Sequence, residues 1–142
     1  QPWVLSVDRT IGGPYENYVT PELCIPEEPL FVPWESCLTL GADFTYEYGD
    51  RYKTPRELVN LLVNIVAKGG NMALNVSPQP DGRIPVDARE SLFGFGQWMK
   101  TYGEAIYGTR ICAPYQSGNL SFTQKGDKVY AIRLYPVAQE SV

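Results

Sequence analysis

The chain has 142 residues, 44% of them hydrophobic, and a net charge of −4, which fits one ordinary domain with a sizeable core. Its basic residues are scattered and no apolar run reaches about 18 residues, so the composition argues against a nucleic-acid partner and against a membrane span. Histidine is absent, and this excludes a Ser-His-Asp triad and any histidine-ligated metal within the chain.

The first third of the sequence predicts two strands separated by a long loop. Residues 3–7 form a short, largely apolar run that predicts a buried strand with charge at its carboxyl end. Residues 10–35 contain two glycines and five prolines, which predicts a long loop of the kind that is usually functional when it is ordered. Residues 34–40 predict a second strand, and the aromatic, polar stretch 43–50 predicts another loop.

The middle of the chain predicts a helix followed by a strand. The sequence TPRE at residues 54–57 is a capping box, with Thr54 as the N-cap and Glu57 reaching back. Apolar residues then recur at helical spacing until Gly69 and Gly70, which end the helix. Residues 72–76 predict a buried parallel strand.

The last third predicts a second helix and a hairpin. Apolar periodicity favours a helix over residues 86–102, in which Gly94 and Gly96 suggest close packing against a sheet. Residues 120–123 and 129–134 flank a Gly-Asp turn and predict a β-hairpin, which we expect to belong to a larger sheet because a lone hairpin is marginal in water. Strands that alternate with helices indicate an α/β protein with a parallel sheet. The three cysteines allow at most one internal disulfide and are expected to be packed or half-exposed thiols.

Five segments together resemble one known family. They are VDR after the first strand, TPE in the long loop, PWESC, the run LVNIVAKGGNMALNVSPQPDGRIP, and FGQWMKTYGEAIYGTR. From about Pro2 to Arg110 this pattern is similar to the retaining α-L-fucosidases, glycoside hydrolase family 29. The resemblance implies that residues 1–112 are the C-terminal part of a catalytic (β/α)8-like (TIM) barrel. It implies that residues 113–142 are the first strands of a β-sandwich domain.

The resemblance also implies an activity, namely removal of terminal L-fucose from glycans by double displacement between two carboxylates. The nucleophilic aspartate would lie upstream of the DR strand, so Asp8 would not replace it and the isolated chain would be inactive. Its expected partners are a fucosylated glycan and the missing N-terminal part of the barrel, with no metal and no organic cofactor. The parent protein is expected to be secreted, periplasmic or lysosomal. The alternatives are another retaining barrel glycosidase, or a non-catalytic carbohydrate-binding or pseudo-enzyme fragment of the same fold.

Three glutamates are candidates for the general acid/base. By the resemblance, Glu22 in the Thr-Pro-Glu context comes first, Glu35 of the Trp-Glu pair second, and Glu16 on the same loop third. A catalytic acid needs a raised pKa, so burial beside aromatic side chains is the physical criterion among them.

Three further residues are candidates for substrate binding. The resemblance gives Arg9 contacts with the sugar and with the nucleophile, for which a guanidinium fork is suited. It places Phe44 against the apolar face and methyl group of fucose, and Trp34 could serve similarly, although a core role is the stronger expectation. Asn71 and Asn75 are expected to be structural, satisfying buried backbone groups.

Overall fold

The computed structural model describes residues 3–7, 9 and 13–136. It is an α/β structure with one parallel and one antiparallel sheet, as the order of elements predicts. The elements in chain order are β1 (Glu35–Thr39), α1 (Pro55–Ala67), β2 (Asn71–Asn75), α2 (Val86–Tyr102), a 3₁₀ turn (Gly103–Ala105), β3 (Gln116–Ser117), β4 (Leu120–Lys125) and β5 (Lys128–Arg133).

The parallel sheet pairs β1 with β2, with Glu35 opposite Asn71 and Thr39 opposite Asn75. Two isolated parallel bridges, from Val19 to Trp34 and from Glu22 to Cys37, extend the sheet on the other side of β1. Residues 19–22 therefore run alongside β1 in the same direction, and the carboxyl ends of all three segments lie at one edge.

The helix α1 begins at the predicted capping box. The N–H of Glu57 donates to the Thr54 hydroxyl at 3.3 Å, and the N–H of Thr54 donates to the Glu57 carboxylate at 2.6 Å. These two bonds satisfy donors that a helix start leaves free. Gly69 ends the helix with a φ of 84°, a left-handed conformation that glycine adopts without strain.

The core lies between α1 and its neighbours in three clusters. The first cluster joins β1 and the residue before it to α1 and consists of Trp34, Leu38 and Ile65. The second joins α1 to the turn after α2 and consists of Val59, Leu62, Val63 and Ile106. The third joins α1 to α2 and to the residue after β1 and consists of Leu40, Leu58 and Ala88. The predicted strand over residues 72–76 forms with its bounds shifted by one residue, but its predicted burial is wrong, because residues 72–76 are half-buried. Of the two helices α1 and α2, α1 makes the larger contact with β2.

The predicted strand at residues 3–7 does not form. Trp3 and Leu5 are 75% and 77% exposed, and the backbone bonds of this stretch go to Asn17 alone among the described residues. A strand needs a neighbour along its length to pair its N–H and C=O groups, and no described strand borders this one.

Gly94 packs against a helix rather than against a sheet. A Cβ added to Gly94 would come within 2.5 Å of the Pro55 Cγ, at the start of α1. A Cβ on Gly96 would meet nothing within 4 Å. The sequence prediction of close packing is thus correct for one glycine, with a different partner, and wrong for the other.

The hairpin forms as predicted between β4 and β5, and β3 adds a short third strand. Two hydrogen bonds tie the chain after β5 to α1: the Asn60 amide donates to the Tyr135 carbonyl at 3.0 Å and accepts from the Tyr135 N–H at 2.9 Å. In the part of the chain that the structure describes, neither helix has the length and apolarity that crossing a membrane requires.

Candidate active site

An ion pair joins two of the sequence-predicted residues. The Arg9 Nη2 lies 2.8 Å from the Glu22 Oε2, and the two side chains are 56% and 44% exposed. They are 13 positions apart in the chain, so the long loop has folded back to bring them together. The arrangement offers a carboxyl group and a fixed cation at the same solvent-facing edge.

The backbone on both sides of Glu22 is held by β1. The Cys37 N–H donates to the Pro21 carbonyl and the Leu23 N–H donates to the Cys37 carbonyl, each at 2.9 Å. Residues paired across neighbouring strands point their side chains to the same face of a sheet. Glu22 therefore shares a face with Cys37, on the side opposite to Leu38, which packs on α1.

A turn at residues 13–17 positions the segment that carries Arg9. The Asn17 N–H donates to the Ser6 carbonyl at 2.8 Å, and the Ser6 N–H donates to the Asn17 side-chain oxygen at 2.9 Å. This pair of bonds fixes the chain three residues before Arg9. Asp8, the acidic partner in the DR pair, lies outside the described residues.

The other two candidate acids lie elsewhere. Glu35 is the first residue of β1, at the amino end of the parallel strands, where it lines an open cleft of about 980 Å³ together with Asn71 and Arg110. Glu16 sits in the 13–17 turn, where its N–H donates to the Gly13 carbonyl at 3.2 Å. Glu22 alone of the three is in contact with Arg9.

Phe44 follows the carboxyl end of β1, and its carbonyl accepts two hydrogen bonds. Ser77 donates at 2.8 Å and the Asn75 amide at 3.1 Å, and the same amide also donates to Ser77 at 3.0 Å. This set of three contacts, which we call the Phe44 brace, fixes the loop after β1 to the end of β2. Asn75 thus satisfies a backbone carbonyl, as predicted, and the role of Ser77 is one that the sequence reasoning missed.

Trp34 lies in the core rather than at the edge with Glu22. It is 2% exposed, and its ring stands where a Cβ on Gly70 would be. Position 70 therefore needs glycine, because any larger residue would place its Cβ against the Trp34 ring. The core role that was the stronger expectation for Trp34 agrees with this burial.

Two buried polar residues that bond the chain after Glu22 were also missed. Ser36, fully buried in β1, donates its hydroxyl to the Cys24 carbonyl at 2.7 Å. Lys68, 7% exposed at the end of α1, donates to the Pro26 carbonyl at 2.8 Å. Burial lowers the pKa of the Lys68 amine, and the nearby Glu28 partly opposes that shift. The only sign in the sequence that either residue is buried was the position of Lys68, directly after the apolar face of α1.

Cysteine and acidic side chains do not form a metal centre in the described ranges, where no group of three His, Cys, Asp or Glu residues could hold an ion. All three cysteines are free thiols.

Comparison with known proteins gives a consistent result. The family model described as Alpha-L-fucosidase matches residues 1–104. The plasma alpha-L-fucosidase of Rattus norvegicus is 40% identical over 116 residues, which cover 74% of this chain and 25% of the relative. The alpha-L-fucosidase of Branchiostoma floridae is 34% identical over 114 residues, covering 71% and 24%. The chain thus spans about a quarter of the length of these curated relatives.

Solved structures agree with the sequence comparison. Alpha-L-fucosidase isoenzyme 1 from Paenibacillus thiaminolyticus superposes with a TM-score of 0.77 at 37% identity, over 81% of this chain and 29% of that one. The Thermotoga maritima alpha-fucosidase in complex with fucose gives a TM-score of 0.74 at 34% identity, over 84% and 28%. This chain belongs to the α-L-fucosidase family of glycosidases.

Proposed function

We propose that this chain is the C-terminal part of the catalytic barrel of a retaining exo-α-L-fucosidase, residues 1–112, followed by the first strands of a β-sandwich, residues 113–142. The parallel order of residues 19–22, β1 and β2 supports the barrel. In such barrels the chemistry lies at the carboxyl ends of the strands. The antiparallel sheet of β3, β4 and β5 supports the second domain.

The observation that carries the proposal is the contact between Arg9 and Glu22 at 2.8 Å. Glu22 acts as the general acid/base: it protonates the glycosidic oxygen as the bond to fucose breaks, and it later removes a proton from the attacking water. Glu35 is the weaker candidate because it stands at the amino end of β1, away from the edge where barrel enzymes react. Glu16 is weaker because Arg9 contacts Glu22.

We assign the remaining roles to residues at the carboxyl end of the parallel strands and to the rest of the barrel. Arg9 donates to oxygens of the sugar and holds Glu22 in place, since a guanidinium can bond two oxygens at once. Phe44, on the braced loop, packs against the apolar face of fucose. The nucleophilic aspartate comes from the N-terminal strands of the barrel, which are the partner that pairs with the open edges of the parallel sheet. The substrate is a terminal α-L-fucosyl group on a glycan.

The test is hydrolysis by the full-length protein that carries this segment. We expect release of 4-nitrophenol from 4-nitrophenyl α-L-fucoside and none above background from the matching α-D-galactoside. Hydrolysis of the galactoside with comparable kcat/KM would indicate another retaining glycosidase. Binding of L-fucose with no turnover of either substrate would support the non-catalytic alternative.

A further inference from the structure

The chain that follows Glu22 is fixed by side chains from two different elements. We call residues 23–28 the strap, because they run from the candidate acid past β1 to the end of α1. Ser36 of β1 holds it at the Cys24 carbonyl, 2.7 Å away, and Lys68 at the end of α1 holds it at the Pro26 carbonyl, 2.8 Å away. Both donors are buried, at 0% and 7% exposure.

The strap begins with a backbone conformation that needs such support. Leu23 has a φ of 55°, the left-handed region that residues with a Cβ rarely adopt. It is the one non-glycine residue with a positive φ among the described residues. The Leu23 N–H bond to the Cys37 carbonyl supports this conformation from one side. Loss of the strap bonds on the other side would let Leu23 relax and turn the neighbouring Glu22 from its present direction.

A lysine is rarely buried only to bond a backbone carbonyl, as Lys68 is here. Burying an ammonium group is costly unless it is paired, and within the described ranges Lys68 forms no salt bridge. Its partner is a backbone carbonyl, which gives a charge-assisted hydrogen bond of short length. The bond fixes the position of the strap, and the charges of Glu28 and Glu27, both on the strap, partly offset the burial of the ammonium group.

The Glu22 side chain has few constraints of its own. It is 44% exposed, and Arg9 is its one side-chain partner among the described residues. A general acid must stand at hydrogen-bond distance from the leaving oxygen, and a displacement of about 1 Å can cost about 100-fold in rate. The direction of Glu22 therefore depends on its backbone, which β1 holds at Pro21 and Leu23 and which the strap holds from there onward.

We propose that Ser36 and Lys68 are positioning residues for Glu22, acting through the strap and touching no substrate. This inference rests on the proposed function, because it assigns a purpose to the strap only if Glu22 is the acid. A misplaced acid slows the departure of a poor leaving group, which needs protonation, more than that of a good one, which leaves unassisted.

The variants are Ser36→Ala and Lys68→Met in the full-length protein. Two matched controls remove similar groups that form no hydrogen bond to the strap among the described residues. Ser121→Ala alters a serine of β4 that is 1% exposed, and Lys125→Met removes a lysine that donates to the Tyr107 carbonyl at 3.0 Å. Lys68→Arg keeps a cationic donor at position 68 and should restore most of the activity that Lys68→Met loses.

The kinetic measurement compares kcat/KM for 2,4-dinitrophenyl α-L-fucoside and for methyl α-L-fucoside. We expect each strap variant to lose about 10-fold or more on the methyl glycoside, part of the roughly 100- to 10,000-fold that general acid catalysis supplies. The loss on the activated aryl glycoside should be less than about 3-fold, and the controls should lose little on both. Equal losses on the two substrates, or no loss, would overturn the proposal.

Hydrogen exchange followed by mass spectrometry gives a second readout that does not depend on turnover. Exchange in peptides covering residues 21–28 should rise in Ser36→Ala and Lys68→Met and stay unchanged in the controls. Unchanged exchange in an active protein would contradict the positioning role and leave the proposed function intact. An unsubstituted protein that hydrolyses no fucoside would contradict the proposed function, and the positioning role would fall with it. If Lys68→Met does not fold, Ser36→Ala, which removes one oxygen, carries both measurements.

Discussion

The Asn75 amide reaches across from the end of β2 to donate to the Phe44 carbonyl at 3.1 Å. Ser77 donates to the same oxygen at 2.8 Å, so two side chains from one strand end hold the loop that follows the neighbouring strand. The Phe44 brace thereby joins the loops that follow β1 and β2 at the carboxyl end of the parallel sheet.

The brace predicts a change in substrate affinity. Replacing both donors, Asn75→Ala with Ser77→Ala, leaves the Phe44 carbonyl without them and loosens the loop that carries the ring. A hydrogen bond contributes about 0.5–1.5 kcal/mol net, so we expect KM for 4-nitrophenyl α-L-fucoside to rise about 2- to 10-fold with a smaller change in kcat. Steady-state kinetics of the full-length protein measures this, with Ser117→Ala on the exposed strand β3 as the control. An unchanged KM in the double variant would contradict the link between the brace and sugar binding by Phe44.

Two glycines in α2 predict opposite effects on stability. Gly94→Ala adds a Cβ that would stand 2.5 Å from the Pro55 Cγ, so the helices must separate and the protein is destabilised by about 1–3 kcal/mol. Gly96→Ala meets nothing within 4 Å and should stabilise the helix by up to about 1 kcal/mol. Denaturant unfolding of the full-length protein compares the two variants. The same sign for both would contradict the packing of α2 on Pro55.

Much of the local structure could be predicted from the sequence because short-range signals decide it. The capping box at Thr54 and the Gly-Asp turn each depend on residues within a few positions, and both are confirmed. The pairing of β1 with β2 could be predicted because a helix of fitting length joins them. The prediction for residues 3–7 was wrong because a strand is stable only beside a partner, which local composition does not specify.

The site was less accessible to sequence reasoning than the fold. Family resemblance pointed to Arg9 and Glu22, but their contact depends on the path of the loop that separates them by 13 positions. Ser36, Lys68 and Ser77 act through hydrogen bonds to backbone carbonyls that are 12, 42 and 33 positions away. Residues so far apart leave no local pattern in the sequence, so these hydrogen bonds could be identified only from the three-dimensional structure.

The capping box predicts how stability depends on pH. The Thr54 N–H, which donates to the Glu57 carboxylate, lowers the pKa of Glu57 below its ordinary value of 4.5. A carboxylate with a lowered pKa contributes stability above its unfolded pKa, and this contribution is lost as the pH falls through the folded value. The stability difference between the native protein and Glu57→Gln should therefore be constant above about pH 5.5 and shrink below pH 4.5.

Urea unfolding of both proteins between about pH 3 and pH 7 measures that difference. Glutamine is the suitable replacement because it can still accept the hydrogen bond of a capping box but does not titrate. A difference that grows on acidification would contradict the assigned direction of the pKa shift.

The exposed apolar side chains lead us to expect that residues 1–142 depend on the rest of the proposed barrel. Trp3, Leu5 and Phe31 are exposed at 75%, 77% and 107%, and the parallel sheet has open edges of the kind that favour aggregation. We expect the isolated segment to show no cooperative thermal unfolding as a monomer, and to become soluble when it is co-expressed with the N-terminal part of the barrel. A sharp unfolding transition from the monomeric segment alone would contradict the proposed partner.

The assignment of Glu22 as the acid/base is tested most directly by Glu22→Ala in the full-length protein, assayed with sodium azide. We expect kcat/KM for methyl α-L-fucoside to fall about 100- to 10,000-fold. Azide should restore turnover of 2,4-dinitrophenyl α-L-fucoside and give α-L-fucosyl azide, in which the configuration of the substrate is retained, while Glu35→Ala and Glu16→Ala keep most of their activity. Full activity of Glu22→Ala, or azide rescue of Glu35→Ala instead, would contradict the account.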